Sequence, residues 1–281
     1  MLKKLAIVLA STLALSACSS IAPPPAVDQA SLEAVASSGR IVDLRTQATL
    51  TPAQLAVELA KADIVLVGEK HDQITHHQME QWLVATLPQA RPQGSFVLEM
   101  LQPKQQAKVS KTQTFLNGGG HLRADKVVQA TDWQTGWTWT QYRDLMNQLL
   151  RQPAPVLEAN LDREPMRQIY QDKPVLSGRL HARPEVKAEL AKVIDGMHEG
   201  ADLDAMLAVQ QHRDRKMAEA VMAAPKPTML IAGAYHVVKN LGAPLHLQDL
   251  GNRAEVKVVI LAQPEAKVLP EHADYVWYAP N

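Results

Sequence analysis

Cysteine occurs once in the 281 residues, phenylalanine twice, and aromatics make up 4% of the chain. A single thiol closes no intrachain disulfide, so the fold must rest on an ordinary hydrophobic core, for which about 250 residues suffice. Neither sign of charge dominates, with 29 Lys and Arg against 29 Asp and Glu. No basic run supplies the electrostatic footprint of a nucleic-acid binder, so no nucleic acid is expected as a partner. Several catalytic signatures are also missing. There is no His-Glu-x-x-His helix, no Gly-x-Ser-x-Gly nucleophile turn and no glycine-rich phosphate loop of the required spacing. No repeat of roughly 20 to 50 residues is present either.

What is present begins at the N-terminus, where Lys3 and Lys4 precede the apolar run Leu5 to Leu15 and Leu15-Ser16-Ala17-Cys18 closes it. The run is too short for a membrane span, which takes about 20 apolar residues. Its join of basic, apolar and small-residue regions reads as a signal peptide over residues 1–17. Cys18, at the cleavage point, then reads as the lipidated residue of a bacterial lipoprotein, with palmitate among the acyl chains. Ser19 rather than Asp follows it, which points to the outer membrane, with the domain facing the periplasm or the surface. Residues 18–39 are the lipidated cysteine and a linker, stiffened by Pro23-Pro24-Pro25. Losing Lys3 and Lys4 leaves the mature chain slightly acidic.

Residues 40–281 alternate short apolar runs with amphipathic stretches, the pattern of an α/β fold with a mostly parallel sheet flanked by helices. Strands are expected at Ile41–Leu44, Ile64–Gly68, Phe96–Leu98, Pro155–Leu157, Met229–Ala232 and Val256–Leu261. Thr51 caps a helix that Pro52 begins. Further helical patterns run over Thr75–Leu87, Gln102–Phe115, Tyr142–Leu150 and Pro184–Met222. Helical inserts at about 103–152 and 184–223 form a smaller helical subdomain, with Trp133, Trp137 and Trp139 packing it onto the sheet and one core spanning both parts.

The functional signal lies where strands end. Four segments run from apolar strand into polar residues, delivering Glu69 and His71, Glu99, Asn160, and Tyr235 with His236. Carboxyl ends of parallel strands share one edge, where such sheets bind ligands. One polar strand end marks only a chain leaving the core, but four together mark a cleft. Gln210, Arg213, Asp214 and Met217 fall at helical spacing on one stripe and supply a second wall. Arg213 there meets either a ligand carboxylate or a salt-bridge partner such as Asp214 or Glu219, while Arg215 and Lys216 point to solvent.

Gly68-Glu69-x-His71-Asp72, His76-His77-x-x-Glu80-Gln81, Leu98-Glu99-Met100, Ala159-Asn160, Gln210-x-x-Arg213-Asp214 and Ala232-Gly233-x-x-His236, in this order, resemble the ChaN-like haem-binding lipoprotein family. The likeness covers roughly residues 40 to 262. It implies a parallel α/β domain, a role in iron acquisition, and haem bound in or near the cleft. It also implies kinship with erythromycin-esterase-like and Tiki-type hydrolases. The alternative is therefore a metal- or His/Glu-dependent hydrolase, with Glu69, His71, Glu99 and His236 as its catalytic set. For haem, Tyr235 is the candidate iron ligand, since a phenolate suits ferric iron. His71, His76 and His77 are rivals, His236 lies beside Tyr235, and Arg213 is available for a propionate. A flat ligand exposes two faces, so a homodimer with haem at its interface is a natural arrangement. His181, His198 and His272 read as surface residues, and His246 has no assigned role.

Overall fold

The structure is a computed structural model that describes residues 28–197 and 200–280. The signal peptide, Cys18, the proline-rich segment to Val27, and His198 lie outside the described residues. Among the described residues, no helix is long and apolar enough to cross a membrane.

Eight strands form one sheet. In chain order they are β1 (Arg40–Asp43), β2 (Thr49–Leu50), β3 (Ile64–Glu69), β4 (Ser95–Leu98), β5 (Val156–Glu158), β6 (Thr228–Gly233), β7 (Val256–Ala262) and β8 (Tyr275–Tyr278). Their order across the sheet is β2-β1-β8-β7-β3-β6-β4-β5. From β8 to β5 all neighbours are parallel, while β1 pairs antiparallel with both β2 and β8. Strands β3, β4 and β6 are buried along their whole length. That is why they read as unbroken apolar runs rather than as an alternation.

The alternation reappears in where their side chains go. Val65, Val67, Phe96, Leu98, Met229 and Ile231 feed one apolar cluster, whereas Ile64, Leu66, Val97, Leu230 and Ala232 feed another on the opposite face. The sheet thus divides the core in two, instead of a single core spanning everything. The first cluster takes α1 (Gln29–Ser38), α2 (Pro52–Leu59), α3 (Ile74–Ala90), α4 (Gln106–Asn117), α5 (Ala124–Ala130) and α6 (Trp139–Leu149). The second takes α8 (Pro184–Met197), α9 (Leu203–Ala223) and α11 (Ala243–Asp249), while α7 (Arg163–Asp172) buries no residue and lies against α9. The two helical inserts therefore sit on opposite faces, and the stretch expected as one pattern over Pro184–Met222 is two helices.

Local sequence explains several of these elements. Thr51 and Gln54 form a reciprocal capping box that starts α2, with Pro52 in its first turn. The short helix α10 (Ala234–Val237) crosses directly over β3 because residue 68 has no side chain. A Cβ on Gly68 would lie 2.5 Å from Val237 Cγ2 and 2.7 Å from Ile260 Cδ1. Trp133 is buried and Trp139 half-buried, edge to face at 5.4 Å, and both pack in the first cluster.

Candidate functional site

Glu69 is the last residue of β3, and its carboxylate is buried. Oε1 accepts from the Tyr142 hydroxyl at 2.6 Å and from His71 Nδ1 at 2.7 Å, while Oε2 faces His77 Nε2 at 2.7 Å. Burial pushes this carboxyl up, but the hydrogen bonds from His71 and His77 outweigh it and hold it at about 2. Tyr142, raised far above the ordinary phenol range by burial and then by Glu69, stays a neutral donor. For His71, burial pulls downward, and the bond to Glu69 with the charge of Glu99 leaves it raised.

Glu99 follows β4 directly and organises the other half of the site. Its Oε2 accepts from the Gly233 backbone N–H at 2.6 Å and its Oε1 from the Arg213 guanidinium, with His236 Nε2 3.4 Å away. Asn160 braces this arrangement, its Nδ2 donating to the Glu99 carbonyl at 2.8 Å and its Oδ1 accepting from Arg213 Nε at 3.2 Å. His236 Nδ1 donates to Asp214 Oδ1 at 2.5 Å, and the Gln210 amide lies 3.0 Å from the same nitrogen. Burial lowers His236, yet the flanking carboxylates of Glu99 and Asp214 win and raise it to about 9, so the ring is cationic at neutral pH. Against burial, His236 and Arg213 hold Glu99 well below the carboxylate range.

The two halves meet at Gly233. His71 Nε2 stands 3.7 Å from Glu99 Oε2, and a Cβ on residue 233 would come within 2.7 Å of that nitrogen. Glycine is thus required by close approach, not by an unusual backbone angle. All four strand ends, together with the α9 stripe of Gln210, Arg213 and Asp214, converge on one floor. Arg213 takes Glu99 as its partner, not Asp214 or Glu219.

Above the floor opens a cavity of about 1230 Å³, larger than the roughly 300–1,000 Å³ of most ligand clefts. Its apolar side includes Val238, Leu241, Ile260 and Val268, and Lys70, Arg183 and Lys267 also line it. Tyr235, on α10, is 46% exposed and lines the cavity. Trp137 stands edge-on to His71, with ring centroids 4.8 Å apart. His76 also lines the cavity, with Nδ1 accepting from the Lys70 N–H at 3.0 Å, and burial lowers it to about 4. His77 is fully buried behind Glu69 and away from the cavity wall.

Two residues missing from the sequence reading of the site are Tyr142 and Trp137, one holding Glu69 and the other flanking His71. Their nearness to scarce aromatics was the only sequence signal. His181, expected at the surface, is buried, stacked on His246 at 4.5 Å and bonded to Asp249 at 2.7 Å. Arg215 is likewise buried, donating to His246 Nδ1 and to the Ser177 carbonyl. Lys216 pairs with Glu158 at 2.8 Å. Each is drawn inward by a partner distant in sequence. His272 lines the cavity.

Residues 55–247 match the family described as haem-binding uptake, Tiki superfamily, ChaN. Among solved structures, ChaN of Campylobacter jejuni, described as binding haem cofacially, is 28% identical, with a TM-score of 0.80 over 86% of this chain and 97% of that one. An erythromycin esterase mutant in its open conformation is 14% identical, with a TM-score of 0.45 over 80% of this chain and 76% of that one. No curated protein matches.

Proposed function

The chain belongs to the ChaN family of haem-binding uptake proteins, and from that premise we propose that it binds haem in the strand-end cavity, with Tyr235 as the iron ligand. We extend the proposal to an outer-membrane lipoprotein, anchored through Cys18, that takes part in iron acquisition.

The observation that carries the reading is the half-exposed Tyr235 side chain at a large cavity with one apolar side. These residues fit the group. A porphyrin needs apolar surface for its ring and cations for its carboxylates, and haem, when bound, would supply a ferric iron that the Tyr235 phenolate would hold. Among the described residues, the Tyr235 hydroxyl has no hydrogen-bond partner that would compete for it. Arg213 is held by Glu99 and Asn160 and Arg183 by the Leu180 carbonyl and Glu185, so Lys267 is the lining cation freest to meet a propionate. A second copy of the chain would cover the outer face of the ligand, and the Campylobacter protein described as binding haem cofacially supports that arrangement.

Haemin titration of the Cys18→Ser chain tests this. The unaltered site should give a phenolate-type ferric spectrum, with sedimentation showing a dimer only when haemin is present. Tyr235→Phe keeps the ring and removes one oxygen, so the spectrum should change and affinity should fall. An unchanged spectrum in that variant overturns the ligand assignment and turns attention to His71.

One observation favours a second reading. His71 lines the cavity with Nδ1 held by Glu69, as in a carboxylate-oriented general base, and its Nε2 lies 3.7 Å from Glu99. Under this hydrolase reading, His71→Ala and Glu69→Gln abolish turnover of an ester or amide while haemin still binds. No turnover by the unaltered chain across a broad hydrolase panel rejects it.

A further inference from the structure

Behind the cavity floor, three side chains converge that neither haem binding nor the hydrolase reading uses together. Helix α3 presents His77 and Glu80 at a three-residue spacing, hence on one face, toward Glu69 at the end of β3. All three are buried, with exposures of 0%, 0% and 2%. One ligand-type atom from each lies within 4.8 Å of the others. His77 and Glu80 do not line the cavity, so this cluster sits below the floor, and Glu69 is the only residue common to both.

The hydrogen bonds around the cluster orient its donor atoms inward. His77 Nδ1 donates to the Gln141 carbonyl at 3.1 Å. His77 Nε2 then lies 2.7 Å from Glu69 Oε2, a contact that needs either a second ring proton donated to the carboxylate or a cation shared by the two atoms. The other Glu69 oxygen is already held by Tyr142 and His71. A backbone carbonyl fixing the far nitrogen of a histidine is the support that metal-ligating imidazoles usually have.

Glu80 decides between a proton and a metal. Among the described residues, neither of its carboxylate oxygens has a hydrogen-bond partner, and both are shielded from solvent. A fully buried carboxyl without a partner is unfavourable whether it is ionised or neutral. A proton on His77 would answer Glu69 and still leave Glu80 unanswered, whereas a divalent cation satisfies all three. The geometry points to a buried divalent-metal site formed by Glu69, His77 and Glu80. One imidazole and two carboxylates suit zinc, manganese or ferrous iron, not the all-oxygen shells of calcium or magnesium. With bonds of about 2.0–2.2 Å, occupancy spreads the Glu69–His77 pair slightly and draws Glu80 in.

The test uses the full chain purified in detergent without chelators. Elemental analysis should find about one zinc, manganese or iron per chain, or the chain should take up about one equivalent of zinc or manganese chloride after chelator treatment. That metal should raise the thermal midpoint by several degrees. Glu80→Gln keeps the shape and removes the charge, so both the metal content and the midpoint rise should disappear. If that variant fails to fold, anomalous diffraction from crystals of the unaltered chain at the zinc or manganese edge locates the ion instead. Substoichiometric metal both as isolated and after addition overturns the inference, as does an anomalous peak beside His71 and His236. Haemin titration of the same samples reports on the cavity alone, so failure of one reading is distinguishable from failure of the other.

Discussion

Glu99→Gln should change not only how stable the protein is but how its stability depends on pH. Glu99 is buried and meets the Arg213 guanidinium, the Gly233 N–H and, at 3.4 Å, His236 Nε2. Its charge is the largest influence raising His236 from 6.5 to about 9. At about 1.4 kcal/mol per unit, that elevation is worth about 3 kcal/mol. A cation with a raised folded-state pKa stabilises fully below its unfolded value, and the contribution is lost as pH rises through the folded value. The unaltered chain should therefore lose about 3 kcal/mol between pH 6.5 and 9, roughly 1 M in urea midpoint. His71, also raised and also facing Glu99, adds to the loss in the same direction. In Glu99→Gln the stability at pH 6.5 should already be lower by about 3–5 kcal/mol, because Arg213 is left beside a neutral amide. Its alkaline slope should be shallower, with Asp214 alone still holding His236. Urea melts at several pH values on both chains provide the comparison. Parallel curves for the two, or a flat curve for the unaltered chain, would refute the assignment of a cationic His236 held by Glu99.

The backbone around the site is tested by glycine substitution. A Cβ on Gly242 would lie 2.2 Å from the His236 carbonyl oxygen and 2.8 Å from that of Tyr235, and neither can rotate away. Gly242→Ala should therefore cost about 1–3 kcal/mol or more and shift the turn carrying both residues. Gly136→Ala, with nothing within 4 Å of its Cβ, is the matched control and should melt like the unaltered chain. Under the proposed lipid anchor, Cys18→Ser should release the protein from the membrane fraction without changing its thermal midpoint, since the described core is built from Leu32 onward. Unchanged membrane association on fractionation would remove the lipoprotein proposal.

Much of the site was legible because it is built from strand ends, and strand ends announce themselves. An apolar, mostly β-branched run such as Ile64 to Val67 reads as a buried strand, and a glycine followed by a carboxylate marks where it leaves the core. The α9 stripe was equally legible from its helical period. What stayed hidden were partners. Tyr142 reaches Glu69 across 73 residues and Arg213 reaches Glu99 across 114, and nothing local specifies such pairs. The same reason explains why Arg215 and His181 go inward although their neighbours look solvated. Strand β1 was expected from Ile41–Leu44, but its two-residue partner β2 gives too little period to count, and β8 (Tyr275–Tyr278), in which aromatics replace the aliphatic run of the other strands, was not anticipated.

Strand β3 hydrogen-bonds only to β6 and β7, and β4 reaches the centre of the sheet only through β6. Both partners of β3 are synthesised more than 150 residues after it, since β6 begins at Thr228 and β7 at Val256. As the chain emerges, β3 and β4 have nothing to hold them in one sheet until Thr228–Gly233 exists. Closing so long a loop carries an entropic cost, and such distant pairing is slow. Assembly therefore waits for about the last fifth of the polypeptide, and a nascent chain stopped before Thr228 has no central rung on which to build. Under the export proposed from Cys18, that delay would leave the central strands unpaired while the chain is threaded across a membrane.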